Sequence, residues 1–269
     1  MDFLQALILG IVEGVTEFLP ISSTAHMMIV SEFLKLQQTD FVKSFEIIIQ
    51  LGAIFAVIAI YIKSILKIKL EDAKKIIFAF IPTAIIGFVL YKFIKSSLMG
   101  NNLVIILALL IGGIVLILVE KFRKNKDEVK VSGDENKLID FSSISYKQSF
   151  IIGLCQSIAV IPGVSRSAAT IVGGLLMNIE RRVIVDFSFL LAIPTMAAAT
   201  GLDVLKNYKL ILSSGNFGVL FVGFIVAFIV AYVVSKWFLK FIKKYDFISF
   251  GIYRVLLAIA LFIIFFMLK

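Results

Sequence analysis

The chain has 269 residues, of which 60% are hydrophobic and 17% charged, with a mean hydropathy of +1.04. So little polar surface cannot cover a soluble globule, and the long Ile/Leu/Phe/Ala/Val runs lack the alternation of a membrane barrel, so the composition predicts an all-α integral membrane protein. The net charge of +9 calls for no nucleic-acid partner, because the lysines lie in short loops between apolar stretches, as membrane topology alone requires.

At the start of the chain there is no basic stretch before the first apolar run and no small-residue cleavage site, so this segment is expected to remain in the mature protein. Residues 2–35 form an apolar run broken at Leu19-Pro20-Ile21-Ser22-Ser23, which predicts a helix pair that dips into the bilayer and returns. It carries the motif EGVTEFLPISSTAH. Glu13 and Glu17 are four apart and share one helix face, where they could hold a divalent cation or share a proton. Ser22, Ser23 and Thr24 follow the break, and His26 lies three residues after Ser23. A hydroxyl beside an imidazole is a nucleophile beside its base, or a donor beside a general acid. Hydroxyls at a helix start also cap it and make an anion site.

Three membrane spans follow, near 43–62, 76–94 and 103–119, and a hydrophilic stretch, 121–147, reads as a linker. Residues 148–178 predict a second re-entrant pair, broken at Ile161-Pro162-Gly163-Val164-Ser165. Its single cysteine, Cys155, excludes an internal disulfide and reads as a small apolar residue. Here the motif is QSIAVIPGVSRSAAT, with Gln156, Ser165, Arg166, Ser167 and Thr170. Arginine offers a donor fork matched to phosphate oxygens, and the helix start adds backbone N–H groups. The competing reading pairs Arg166 structurally with a carboxylate such as Glu17. Three more spans are expected near 183–203, 216–236 and 249–267.

A shift of about 142 positions brings Pro20 onto Pro162 and, within one residue, Glu13 onto Gln156. Residues 1–120 and 148–269 are therefore two repeats, each a re-entrant pair plus three spans, and the odd number of crossings inverts the second. Placing the 63–75, 120–147, Arg181-Arg182 and 236–248 loops in the cytoplasm puts eighteen basic residues there against seven outside. That asymmetry predicts extracytoplasmic termini.

At these two motifs the chain resembles the undecaprenyl-pyrophosphate phosphatase family, the integral-membrane bacitracin-resistance proteins. Glu13-x-x-x-Glu17, Pro20-Ile21-Ser22-Ser23-Thr24-x-His26 and Pro162-Gly163-x-Ser165-Arg166-Ser167-x-x-Thr170 match its two signature blocks, and Phe45 to Val57 is similar to it as well. Ala25 and Ala168 stand where glycine is common, so no positive φ is expected at either. The resemblance implies removal of the terminal phosphate from a polyprenyl pyrophosphate in a bacterial inner membrane, with a divalent cation, Mg or Ca. This reaction regenerates the lipid carrier of peptidoglycan and other envelope polymers.

On that reading Arg166, Ser165, Ser167, Thr170, Ser22 and Thr24 hold the diphosphate, and a cation at Glu13 and Glu17 offsets its charge. Ser23, with His26, either attacks to give a phosphoserine or orients phosphate toward a water activated by His26 or Glu17. Membrane lipids surround the chain, and a homodimer is left open. The rival class is an inverted-repeat transporter of a lipid carrier or small anion, which would use the same residues without breaking a bond.

Overall fold

The computed structural model describes residues 1–37, 39–93, 98, 101–123, 140–213 and 215–267. Ten helices carry the described residues: α1 (Phe3–Thr16), α2 (Ser23–Phe33), α3 (Asp40–Ile65), α4 (Leu70–Phe93), α5 (Asn102–Arg123), α6 (Tyr146–Ser157), α7 (Arg166–Leu176), α8 (Arg181–Ser213), α9 (Phe217–Phe241) and α10 (Ile248–Phe266). Six of them, α3, α4, α5, α8, α9 and α10, are long and apolar enough to cross a membrane. The fold is thus an all-helical, multi-pass membrane architecture. These helices overrun the expected spans at most of their ends, and α8 is the longest at 33 residues. Pro82 and Pro194 lie inside α4 and α8 without ending them. Most of the expected linker, 124–139, falls outside the described residues.

The four short helices pair around the two broken motifs. At 14, 11, 12 and 11 residues, α1, α2, α6 and α7 each fall short of the roughly 20 residues a crossing needs. Their ends are fixed by local chemistry. Asp2 and Gln5 form a capping box on α1, and Ser145 and Gln148 form another on α6. Ser22 caps α2 by accepting from the Ala25 N–H, and Ser165 caps α7 by accepting from the Ala168 N–H. Just past α2 and α7, Lys35 and Asn178 take positive φ and close the helix ends. Asp2 and Ser145, Ser22 and Ser165, and Lys35 and Asn178 are each 143 positions apart.

Packing crosses between the halves. α1 and α3 pack on α9, while α6 and α8 pack on α4; α3 meets α8 and α5 meets α10. The approach of α1 to α9 needs glycine, because a Cβ on Gly10 would stand 2.8 Å from the Gly223 carbonyl oxygen. A phenylalanine-rich core including Phe18, Phe187, Phe189, Phe238 and Phe247 fills the space beside the first motif. At the start of α8, Arg181 pairs with the buried Glu120 at 2.8 Å and Arg182 with Asp186 at 2.8 Å.

Candidate active site

The breaks between α1 and α2 and between α6 and α7 face one another and enclose polar groups among apolar helices. Each break turns on a serine at φ 73°, Ser22 and Ser165, a backbone region that non-glycine residues rarely adopt. Such conformations cost of order 1–3 kcal/mol and persist where the surroundings over-determine them. Ala25 and Ala168 are not among the positive-φ residues: the strain sits three residues earlier, on the capping serines.

Arg254 of α10 fixes both turns. It is fully buried, and its N–H groups donate to five carbonyls: Pro20, Gly163 and Val164 in the turns, and Ala108 and Leu109 in α5. A guanidinium has five N–H donors, so five carbonyls can satisfy it at depth without a carboxylate. The sequence places Arg254 in a span without giving it a role; the signal available was a lone cation in an apolar run. A second tie runs from Ser167, whose hydroxyl donates to the Leu19 carbonyl at 2.9 Å.

Between the tied turns, Glu17 is the hub. Its Oε2 accepts from the Ser23 hydroxyl at 2.6 Å, and its Oε1 accepts from Arg166 Nη2 at 3.0 Å. Arg166 also donates from Nη1 to the Ser188 carbonyl at 3.0 Å and lies over the Phe18 ring, while its Nε has no partner among the described residues. The phosphate-fork and ion-pair readings of Arg166 are therefore compatible, since the pair with Glu17 occupies only part of the fork.

The expected residues divide into two sets. Glu17, Ser22, Ser23, Thr24, Ser165 and Arg166 line a cavity of about 600 Å³. Ser167 and Thr170 are fully buried away from it, and Thr170 shares a 2.6 Å hydrogen bond with Ser188. His26 is not on the cavity wall either. Its Nδ1 donates to the Ser22 carbonyl at 2.8 Å and its Nε2 shares a 2.7 Å hydrogen bond with the Tyr253 hydroxyl. The side chain that meets the Ser23 hydroxyl is Glu17 rather than His26, because a helix turn after Ser22 directs the imidazole back along α2.

The deeper floor is held by Gln156. Its amide Nε2 donates to Thr83 Oγ1 at 2.9 Å and Thr195 Oγ1 at 3.1 Å, joining α4 to α8, while Oε1 has no partner among the described residues. Thr83 and Thr195 were not singled out from sequence; each directly follows a proline inside a span.

Glu13 is completely buried and lies against the Glu17 carboxyl, and among the described residues neither of its oxygens has a hydrogen-bond donor. Among the described residues no group of three or more His, Cys, Asp or Glu side chains gathers as a metal site. The orphaned Glu13 carboxylate beside that of Glu17 is nonetheless a hard-oxygen pair of the kind that suits Mg or Ca when phosphate oxygens complete the shell.

Six crossing-length helices around a buried carboxylate, hydroxyl and guanidinium define an integral membrane protein built to handle a charged group at bilayer depth. The sequence model described as bacitracin resistance protein BacA matches residues 6–260. The chain belongs to that family. It is 49% identical over 259 residues to the undecaprenyl-diphosphatase of Sulfurihydrogenibium sp., covering 96% of this chain and 98% of the relative. The undecaprenyl-diphosphatase of Aquifex aeolicus is 48% identical, with 95% of each chain covered, and that of Methanococcus aeolicus is 44% identical, with 98% and 99% covered.

Proposed function

We infer that the chain is an undecaprenyl-diphosphatase, hydrolysing undecaprenyl pyrophosphate to undecaprenyl phosphate and inorganic phosphate and so recycling the lipid carrier of envelope polymers. The observation that carries the mechanism is the Arg166–Glu17–Ser23 chain of hydrogen bonds on the cavity wall. A diphosphate drawn to the free edge of Arg166 meets the helix starts capped by Ser22 and Ser165, where N–H groups and hydroxyls face its oxygens. Glu17 accepts the Ser23 proton as the Ser23 oxygen attacks the terminal phosphorus. The bond to the bridging oxygen breaks, and undecaprenyl phosphate leaves with that oxygen. Glu17 passes its proton to the departing phosphate oxygen. Water then attacks the phosphoserine phosphorus, giving a proton to the freed Glu17 carboxylate; the bond to the Ser23 oxygen breaks, and Glu17 returns that proton to Ser23 as inorganic phosphate is released. His26 holds the Ser22 carbonyl rather than the reacting proton.

A divalent cation held by Glu13 with Glu17 would supply charge neutralisation for the diphosphate. Glu13→Gln should raise the cation concentration needed for half-maximal turnover and weaken cation-dependent thermal stabilisation. Unchanged cation titrations in both assays would remove Glu13 from that role.

The paired caps at 143-residue spacing and the exchanged packing of α1 on α9 and α6 on α4 support two repeats, 1–120 and 148–269, inverted about the membrane plane, with re-entrant pairs at 2–35 and 148–178. The basic-residue asymmetry supports the bacterial inner membrane with both termini outside, so the cavity rim at Asp40 and Asp203 faces the extracytoplasmic side. The decisive assay is phosphate release by purified protein given undecaprenyl pyrophosphate in detergent. A transporter of the same architecture would bind the lipid and release none.

A further inference from the structure

The cavity has walls of two different kinds. Its floor is polar, with Glu17, Ser23, Arg166 and Gln156, and its rim is again polar, with Asp40 and Lys43 at the start of α3 and Asp203 and Asn207 near the end of α8. Between floor and rim, α4 presents Phe80, Ala84, Gly87 and Phe88, the spacing of one helix face. Opposite, α8 presents Ala198, Ala199 and Leu202, again one face.

The two helices are joined at the floor by the Gln156 amide, through Thr83 and Thr195. One turn beyond Thr83 they no longer touch at this face: a Cβ placed on Gly87 would meet no heavy atom within 4 Å. The next residue, Phe88, is 73% exposed, so the apolar wall continues to the outside of the bundle.

We propose that this groove between α4 and α8, running from the Gln156 bridge past Gly87, is the binding track of the substrate's prenyl chain. The proposal rests on the phosphatase reading for the identity of the lipid. Size requires a way out: about 600 Å³ lies within the roughly 300–1,000 Å³ that encloses a drug-sized ligand, and eleven isoprene units exceed it. Polarity selects the route. Over the rim, the hydrocarbon would displace water from Asp40, Lys43 and Asp203, whereas along α4 it covers apolar surface. Gly87, Ala84 and Ala199 then act as the residues that set the groove's width.

Two measurements test this. In the first, Gly87→Phe and Ala199→Phe are assayed on undecaprenyl pyrophosphate. The expected result is a KM raised about tenfold with kcat nearly kept, while Ile85→Phe, on the opposite and exposed face of α4, matches the parent. Unchanged KM in both groove variants would overturn the proposal, as would an equal effect from Ile85→Phe.

In the second, Gly87→Cys and Ile85→Cys in a Cys155→Ser background are labelled with a maleimide in detergent. Undecaprenyl pyrophosphate and undecaprenyl phosphate should slow labelling at position 87 but not at 85, and inorganic pyrophosphate should protect neither. Equal labelling with and without lipid would sink the track. Failure of the phosphatase reading shows itself separately, as a parent protein that releases no phosphate yet is still protected at position 87 by the lipid.

Discussion

Ser23 and Glu17 share a 2.6 Å hydrogen bond from hydroxyl to Oε2, while the other oxygen of the same carboxylate holds Arg166 at 3.0 Å. The carboxylate is thereby fixed by one partner and presented to the other. A base oriented in this way needs no rearrangement to take the hydroxyl proton.

Glu17→Gln keeps the shape but removes both the proton acceptor and the charge opposite Arg166. Turnover should fall by about 10²–10⁴, the range for loss of a positioned base. Ser23→Ala should lose essentially all turnover, and rapid quenching of the parent with labelled substrate should trap phosphate on Ser23. Substantial phosphate release by Ser23→Ala, with no trapped label in the parent, would transfer the attack to water activated by Glu17.

Arg166→Lys keeps the charge and loses the fork. Removing preorganised donors of this kind costs about 10²–10³ in kcat, and phosphate-release kinetics will show whether an ammonium suffices. Arg166→Ala should also lower thermal stability, because an unpaired buried carboxylate costs about 3–5 kcal/mol. Adding Glu17→Gln to it should recover part of that loss. A double variant no more stable than Arg166→Ala would show that the pair contributes little to folding.

His26 bridges the Ser22 carbonyl and the Tyr253 hydroxyl, with Ser23 outside its hydrogen bonds. His26→Ala should therefore lower turnover by about tenfold or less, the scale of a lost hydrogen bond of 0.5–1.5 kcal/mol. The pH–rate profile near neutrality should keep its shape, and Tyr253→Phe should give a smaller loss in the same direction. A flattened profile in His26→Ala would restore the imidazole as the proton-transfer group.

The five carbonyl contacts of Arg254 predict a structural role with a functional readout. Arg254→Met removes the donors to the turn carbonyls of Pro20, Gly163 and Val164, at about 1–3 kcal/mol for each left unsatisfied, so detergent-solubilised protein should melt well below the parent. Gly112→Ala is the gentler probe, since its Cβ would press on the guanidinium Nη2. It should fold and yet turn over more slowly through displaced turns. A fully active Gly112→Ala would show that the turns tolerate movement of Arg254.

Topology can be read with Ser132→Cys in a Cys155→Ser background. This position, in the 121–147 stretch, should resist an impermeant thiol reagent in whole cells and react in broken ones. Labelling in intact cells would overturn both the orientation and the inverted repeat.

Hydropathy alone located the six long helices, because each had to bring about 20 apolar residues in sequence to meet the bilayer. The motifs were legible for a related reason: Glu13, Glu17, Arg166 and their hydroxyls are costly at that depth, so they stand out from the lipid-soluble background. Which of them meet was not legible. Local spacing pointed Ser23 toward His26, three residues away, whereas the fold brings Ser23 to Glu17 on the preceding helix and Arg166 to Glu17 from 149 residues further along the chain.

Thr170 and Ser167 look equivalent to Ser165 in the motif, but the close packing of α7 on α8 and on the first turn takes their hydroxyls for structure. Arg254 shows the same division most clearly. Its sequence context says only that a cation lies in a membrane, and its partners are five carbonyls from three separate segments. Backbone carbonyls carry no sequence signal, so only the tertiary arrangement of the turns could show what that guanidinium holds.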